Sequence, residues 1–248
     1  MNIYHLDYET FSGADLRDVG AYRYAEDPST EILIACIARN DEPPLVWVNH
    51  IHTAADILYT SKGAMEMLNT ALRSGDVIYA HNAQFERALT QARMGVVRSD
   101  KWRCTAAMAR RAALPDSLAK CAEALGLAEQ KDSKGAALIR KFSMLDAKGK
   151  RTLPGDDLEA FGEFVDYCRK DVLAERAVHK ALKDFELTGD TLKAFQLDIA
   201  VNDRGFPVNV DALKTAKGIV DEAQAEGRAR FLEVVGVNPT QRQKCLDW

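Results

Sequence analysis

The stretch His5-Leu6-Asp7-Tyr8-Glu9-Thr10-Phe11-Ser12 places two carboxylates where a fold ordinarily spends apolar side chains. Tyr4, Leu6, Tyr8 and Phe11 predict a buried β-strand. Residues i and i+2 of a strand share a face, so Asp7 and Glu9 point the same way, their Cβ atoms roughly 6–7 Å apart. Two ionised carboxylates so placed raise each other's pKa unless a cation lies between them, and a divalent metal is the simple resolution. A solvated strand face carrying both acids is the alternative left open by this motif alone. The hydroxyl-bearing Thr10-Phe11-Ser12 that follows favours a site, because α/β folds place their sites just beyond strand ends.

Working outward, Glu31–Ala38 and Leu45–Val48 are two further apolar runs of strand length, so the first three strands predict a meander. A short strand is expected at Ala21–Tyr24 in the irregular stretch before them. Lys62–Arg73 has helical periodicity, Val77–Ala80 reads as a strand, and His81-Asn82 opens a helix to about Met94. Trp102–Thr105 is expected as a short strand or turn. From Ala106 the pattern is helical nearly to Leu187, with breaks near Pro115, Gly126 and Gly149–Gly155. A change of character follows: a helix over Thr191–Arg204, a turn and short strand at Gly205–Val208, a helix capped by Asn209 or Asp211 to about Val235, and the first turns of another helix up to Trp248. That last helix reads as cut off, so a fragment of a longer chain is expected.

Composition bounds the function. A chain of 248 residues, 47% hydrophobic, can bury one large core or one core and the start of a second domain. There is no run of 18 apolar residues and no signal-peptide pattern, so a soluble cytoplasmic protein is expected, with no membrane partner. The five cysteines are at least 17 residues apart, which excludes CxxC zinc spacing and argues for reduced packing residues. The net charge of -4 excludes a global basic coat. Charge is nonetheless segregated: Lys131, Lys134, Arg140, Lys141, Lys148, Lys150 and Arg151 face only Asp132 and Asp146, whereas Asp156–Glu175 carries seven acids against Arg169 and Lys170. Acids that hold cations beside bases that hold a phosphate chain fit a nucleic-acid site, and solvated helix faces fit almost as well.

Two other segments can serve Asp7 and Glu9. Glu86 lies about one turn into the helix opened by His81-Asn82, and Tyr167 and Asp171, at i and i+4, stack on one helix face. Taken together, Asp7-x-Glu9, the His81-Asn82 to Phe85-Glu86 string and Tyr167-x-x-x-Asp171 resemble the DEDD exonuclease superfamily in its tyrosine-bearing subclass, as found in the proofreading domain of phage-type family A DNA polymerases. The segment Leu197-Asp198 to Asn202-Asp203-Arg204-Gly205 resembles the link from that domain into the polymerase.

The resemblance implies an α/β, ribonuclease H-like fold: a mixed sheet of about five strands, antiparallel meander first, with packed helices. It implies an exonuclease domain over residues 1–187, then a helical linker and the start of a polymerase domain over 188–248. It further implies a 3'-to-5' exonuclease with two Mg2+ or Mn2+ ions, releasing 5'-mononucleotides from DNA ends. Asp7 would bridge both ions, Glu9 and Asp171 would complete one, Glu86 would hold the other, and Tyr167 would orient the nucleophile. Thr10, Phe11, His81, Asn82, Phe85, Lys131, Lys134 and Lys141 would contact a single-stranded or frayed DNA end. The partners are that DNA and a polymerase domain in the same chain, the chain otherwise being a monomer, with apolar surface on the tail helices favouring self-association if that domain is absent. The family's wider pattern has aspartate where this chain has Glu86, longer by one methylene. An RNA-trimming relative and a catalytically inactive binding module are the alternatives.

Overall fold

The computed structural model describes residues 1–95, 99–127 and 135–248. It divides into two units, Met1–Val201 and Asn202–Trp248. The first is built on a five-stranded mixed sheet of order β3-β2-β1-β4-β5, the ribonuclease H-like α/β architecture expected from the sequence. β1 (Ile3–Phe11) pairs antiparallel with β2 (Glu31–Arg39), and β2 with β3 (Leu45–Val48). β4 (Val77–Ala80) runs parallel to β1, and β5 (Trp102–Cys104) parallel to β4. The meander is therefore present, but α1 (Leu16–Glu26) is inserted between its first two strands.

That helix corrects the strand expected at Ala21–Tyr24. Asp15 caps it by accepting from the Arg17 amide, and Gly20, at φ 74°, kinks it. The aromatic spacing of Ala21–Tyr24 imitated a strand because Tyr24 turns into the core, where its hydroxyl meets Thr10 Oγ1 at 2.9 Å. α2 (Thr53–Tyr59), not foreseen, precedes α3 (Ala64–Arg73), whose Leu68 and Ala71 are buried. α4 (Gln84–Met94), α5 (Thr105–Arg111), α6 (Leu118–Ala124), α7 (Gly135–Phe142) and α8 (Leu158–Ala181) follow, with α9 (Gly189–Arg204) last.

Alternation along β1 separates two cores. Tyr4, Leu6 and Tyr8 enter one with Tyr24, Ile37, Leu89 and Trp102. On the other face, Phe11 joins Leu33, Ile34 and Cys36 of β2, Phe142 of α7, and Phe161, Phe164, Tyr167 and Cys168 of α8. The second face is where Asp7 and Glu9 lie, opposite Cys36 and Ile34 on β2. Immediately after Glu9 the register shifts, Glu9 pairing with Ile34 but Thr10 with Ile32, so Leu33 is the extra residue of a bulge. Bulges twist a strand and re-aim its side chains.

β1 also outruns its parallel neighbour: pairing to β4 ends at His5 opposite Tyr79, whereas β1 continues to Phe11. Asp7 and Glu9 therefore extend beyond the end of β4, where the turn into α4 has room to bring another side chain.

The second unit contains α10 (Val210–Val235) and α11 (Arg242–Leu246). Asn209 caps α10, its side chain accepting from the Ala212 amide. Residues 205–209 form no strand, which corrects the short strand expected at Val208: Gly205 at φ 66° and Pro207 break the run before four β-competent residues accumulate. Leu213, Ile219, Val220, Leu232 and Val234 of α10 are exposed. Among the described residues, no helix is long and apolar enough to cross a membrane.

Candidate metal centre

The site arises from a match of two periodicities. Along β1, His5, Asp7 and Glu9 recur every second residue, about 6.6 Å apart, and along a helix every fourth residue advances about 6 Å. Tyr167, Asp171 and Glu175 of α8 have that fourfold spacing. Laid antiparallel on the strand, the helix meets it rung by rung. At one end His5 Nδ1 and Glu175 Oε2 are 2.5 Å apart, both side chains buried. In the middle, Asp7 and Asp171 line one cleft. At the far end Tyr167 feels the charges of Asp171, Glu9 and Asp7 and hydrogen-bonds to Asp171.

Glu86 completes the cluster from the other side. Ala80 ends β4, Asn82 adopts a left-handed φ of 66°, and α4 begins at Gln84. Asparagine tolerates that region better than most residues. The turn brings Glu86, 3% exposed, to where its charge opposes that of Asp7. Its Oε2 has no hydrogen-bond partner, and its pKa is raised well above 4.5, first by burial and then by Asp7. The five predicted residues Asp7, Glu9, Glu86, Tyr167 and Asp171 thus come to one place.

Electrostatics also set the state of the tyrosine. Burial, followed by the neighbouring carboxylates of Asp171 and Glu9, pushes the Tyr167 phenol up, so it stays a neutral O–H donor. Cys168, not foreseen as a site residue, lies within the cluster: its Sγ is 3.3 Å from Asp7 Oδ2. Burial pushes this thiol well up, with Cys36 and Asp7 adding to it. One ligand atom from each of Asp7, Glu9 and Cys168 can be chosen so that all three lie within 4.8 Å of one another. A lone apolar-looking cysteine beside a tyrosine gave no sequence signal for this role.

Clefts flank the acids. One of about 400 Å³ is lined by Asp7, Asp171, His81, Asn82, Arg110 and Asp116. Another of about 560 Å³ is lined by Glu9, Tyr8, Thr10, Arg17, Phe85 and Arg140 among others. An acid of the cluster and an arginine thus line each cleft; Arg140 belongs to the basic run noted in the sequence, whereas nothing in the sequence had marked Arg110.

The residues expected to touch DNA are placed as follows. Phe85 and Thr10 border the larger cleft, and His81 and Asn82 the smaller. Thr10 is buried against Tyr24, and Phe11 is buried with the Arg151 guanidinium 3.8 Å from its ring centroid. His81 bonds Thr105 Oγ1 at 3.0 Å and the Asp116 carbonyl at 2.7 Å, which fixes its ring. Lys141 is paired with Asp157, the residue that caps α8. Lys131 and Lys134 lie outside the described residues.

The donor set fits hard divalent cations. Carboxylate oxygens dominate it, and Glu86 brings a buried, unpartnered oxygen that an ion would satisfy. A pH prediction follows. With no ion bound, Glu86 holds its proton in the folded state and releases it near 4.5 when unfolded, so the folded state binds more protons and stability falls as pH rises. The stability is complete below about 4.5 and is lost as pH climbs toward the folded value. Thermal melts in chelator are expected to show this decline, and Glu86→Gln to flatten it. Identical melting profiles for wild type and variant would sink the assignment.

No protein-family model matches the chain. Over its whole length the chain is 35% identical, across 257 aligned residues, to a DNA polymerase of Bacillus phage SP02, and it spans 38% of that protein's length.

Proposed function

We propose that this chain is a metal-dependent 3'-to-5' exonuclease that removes 5'-mononucleotides from single-stranded or frayed DNA ends, as the proofreading part of a phage-type DNA polymerase acting in the bacterial cytoplasm. The observation that carries this is the rung-by-rung meeting of Asp7 and Glu9 on β1 with Tyr167 and Asp171 on α8, closed by Glu86. The likeness to a phage DNA polymerase over the whole chain supports the setting.

Asp7, Glu9, Glu86 and Asp171 would hold two Mg2+ or Mn2+ ions. When bound, the ions supply positive charge that activates water and stabilises the oxygens of an in-line phosphoryl displacement. The chain's own contributions are then distinct. Tyr167, kept neutral by its surroundings, would turn its one O–H from Asp171 to the attacking water and orient it. Arg110 and Arg140, in the flanking clefts, neutralise the phosphates on either side. Phe85, which lines the larger cleft, would offer a face for an unstacked base. Water adds to the terminal phosphorus, the bond to the preceding 3'-oxygen breaks, and the strand is left one nucleotide shorter with a 3'-hydroxyl.

Product analysis tests this. Incubation of single-stranded DNA with the chain and Mg2+ or Mn2+ is expected to yield 5'-mononucleotides, and none with chelator. Release of 3'-mononucleotides or of internal fragments would refute it.

A further inference from the structure

Past the metal centre, α8 runs on to a cavity that none of the acids proposed to hold metal lines. His179, about 12 Å along the helix from Asp171, borders it with Ile3, His5, Tyr79, Lys183 and Glu186, and its volume is about 550 Å³. Size and lining are those of a small-molecule site, largely apolar and aromatic with a few polar groups. Its wall is a set of rings: Tyr79 stacks on His179 with centroids 3.9 Å apart, and His5 lies 5.3 Å from His179. Several of its polar groups are already satisfied. The Tyr79 hydroxyl donates to Glu186 Oε1 at 2.6 Å, His179 Nε2 is 3.4 Å from Glu186 Oε2, and Lys180 at the rim pairs with Asp41.

Two groups are left open. His5 is 2% exposed and its Nδ1 is held by Glu175 at 2.5 Å, but its Nε2 has no partner among the described residues. A buried imidazole nitrogen left so costs free energy unless something meets it. The ammonium of Lys183, exposed beside it, also has no partner among the described residues. An open ring nitrogen behind an aromatic wall, with a spare cation at the rim, suits a planar heterocycle that carries a negative charge.

We propose that this cavity binds a free nucleoside 5'-monophosphate, and does so without a divalent ion. The ring wall receives the base, His5 Nε2 meets the base's polar edge, which carries both donors and acceptors, and Lys183 pairs with the phosphate. That the planar anion is a nucleotide rests on the exonuclease reading above, whose product is a 5'-mononucleotide. The product thus has a second site, apart from the metal centre.

Saturation-transfer NMR of deoxyadenosine 5'-monophosphate with the whole chain in chelator tests this, since the metal centre is then empty. A saturable signal, strongest on the adenine protons, is expected. Lys183→Glu, an exposed change that leaves the core untouched, is expected to weaken binding by at least about tenfold. Asp7→Asn is expected to leave it unchanged. No saturable signal, full binding in Lys183→Glu, or loss in Asp7→Asn overturns the proposal. Equal competition by inorganic phosphate overturns it too, because the base then adds nothing. Shortening of DNA under Mg2+ with no nucleotide signal in chelator removes this site and leaves the exonuclease standing. A saturable signal with no shortening under Mg2+ or Mn2+ keeps the site and removes the exonuclease.

Discussion

Asp7→Ala is expected to lower metal-dependent shortening of DNA by at least about a hundredfold, while the metal-free protein becomes no less stable. Asp7 stands at the middle rung, between Glu9 on its own strand, Asp171 across the cleft and Glu86 from α4. Removing it takes away the donor common to every pairing of the cluster. The same removal eases ionisation of Glu86 at pH values above the ordinary carboxylate range, because Asp7 is, after burial, the largest influence opposing it. Relief of about 1 kcal/mol raises the melting temperature by about 2–4 °C in a chain of this size. A melt in chelator beside an activity assay reads both effects. Loss of activity together with a lower melting temperature would mean Asp7 is a structural residue.

Gly135→Ala is expected to disable the site from a distance. A Cβ on Gly135 would sit 2.1 Å from Tyr167 Cε2 and 2.7 Å from Cδ2, so the ring has to move. The far end of a flexible chain could swing aside, but Tyr167 is 2% exposed and stacks on Phe164 with ring centroids 6.2 Å apart. Overpacking of this kind costs about 1–3 kcal/mol. A displaced phenol no longer meets its partners, and misplacement by about 1 Å at a reacting centre lowers rates on the order of a hundredfold. Tyr167→Phe separates the causes, since it keeps the packing and loses only the hydroxyl. Gly135→Ala is expected to destabilise and inactivate, Tyr167→Phe to inactivate alone. A fully active Gly135→Ala chain would contradict the placement of Tyr167.

Much of the strand end was legible because its chemistry is local. Asp7 and Glu9 share a face by the strand period alone, and Tyr167 and Asp171 by the helix period alone. The rung-by-rung fit between them was not legible, since nothing in either segment states that α8 lies antiparallel on β1. His5 with Glu175 makes the point: both looked ordinary until the fold set them 2.5 Å apart. Cys168 was read as packing, and it does pack, yet its neighbour is Asp7. The error at Ala21–Tyr24 has a similar origin. Tyr24 is buried by a tertiary bond to Thr10 that local aromatic spacing does not reveal. The kink at Gly20 further disguised the helical period.

The most direct measurement pairs two single-stranded DNA substrates, one linear and labelled at its 5' end, the other closed into a circle, each incubated with Mg2+ or Mn2+. A free 3' end is the starting point of the proposed reaction, so only the linear strand offers one. A ladder descending one nucleotide at a time from full length, with the circle intact and both unchanged in chelator, is the predicted result. Immediate release of the labelled end nucleotide, cutting of the circle, or DNA bound but never shortened under either ion would contradict the account.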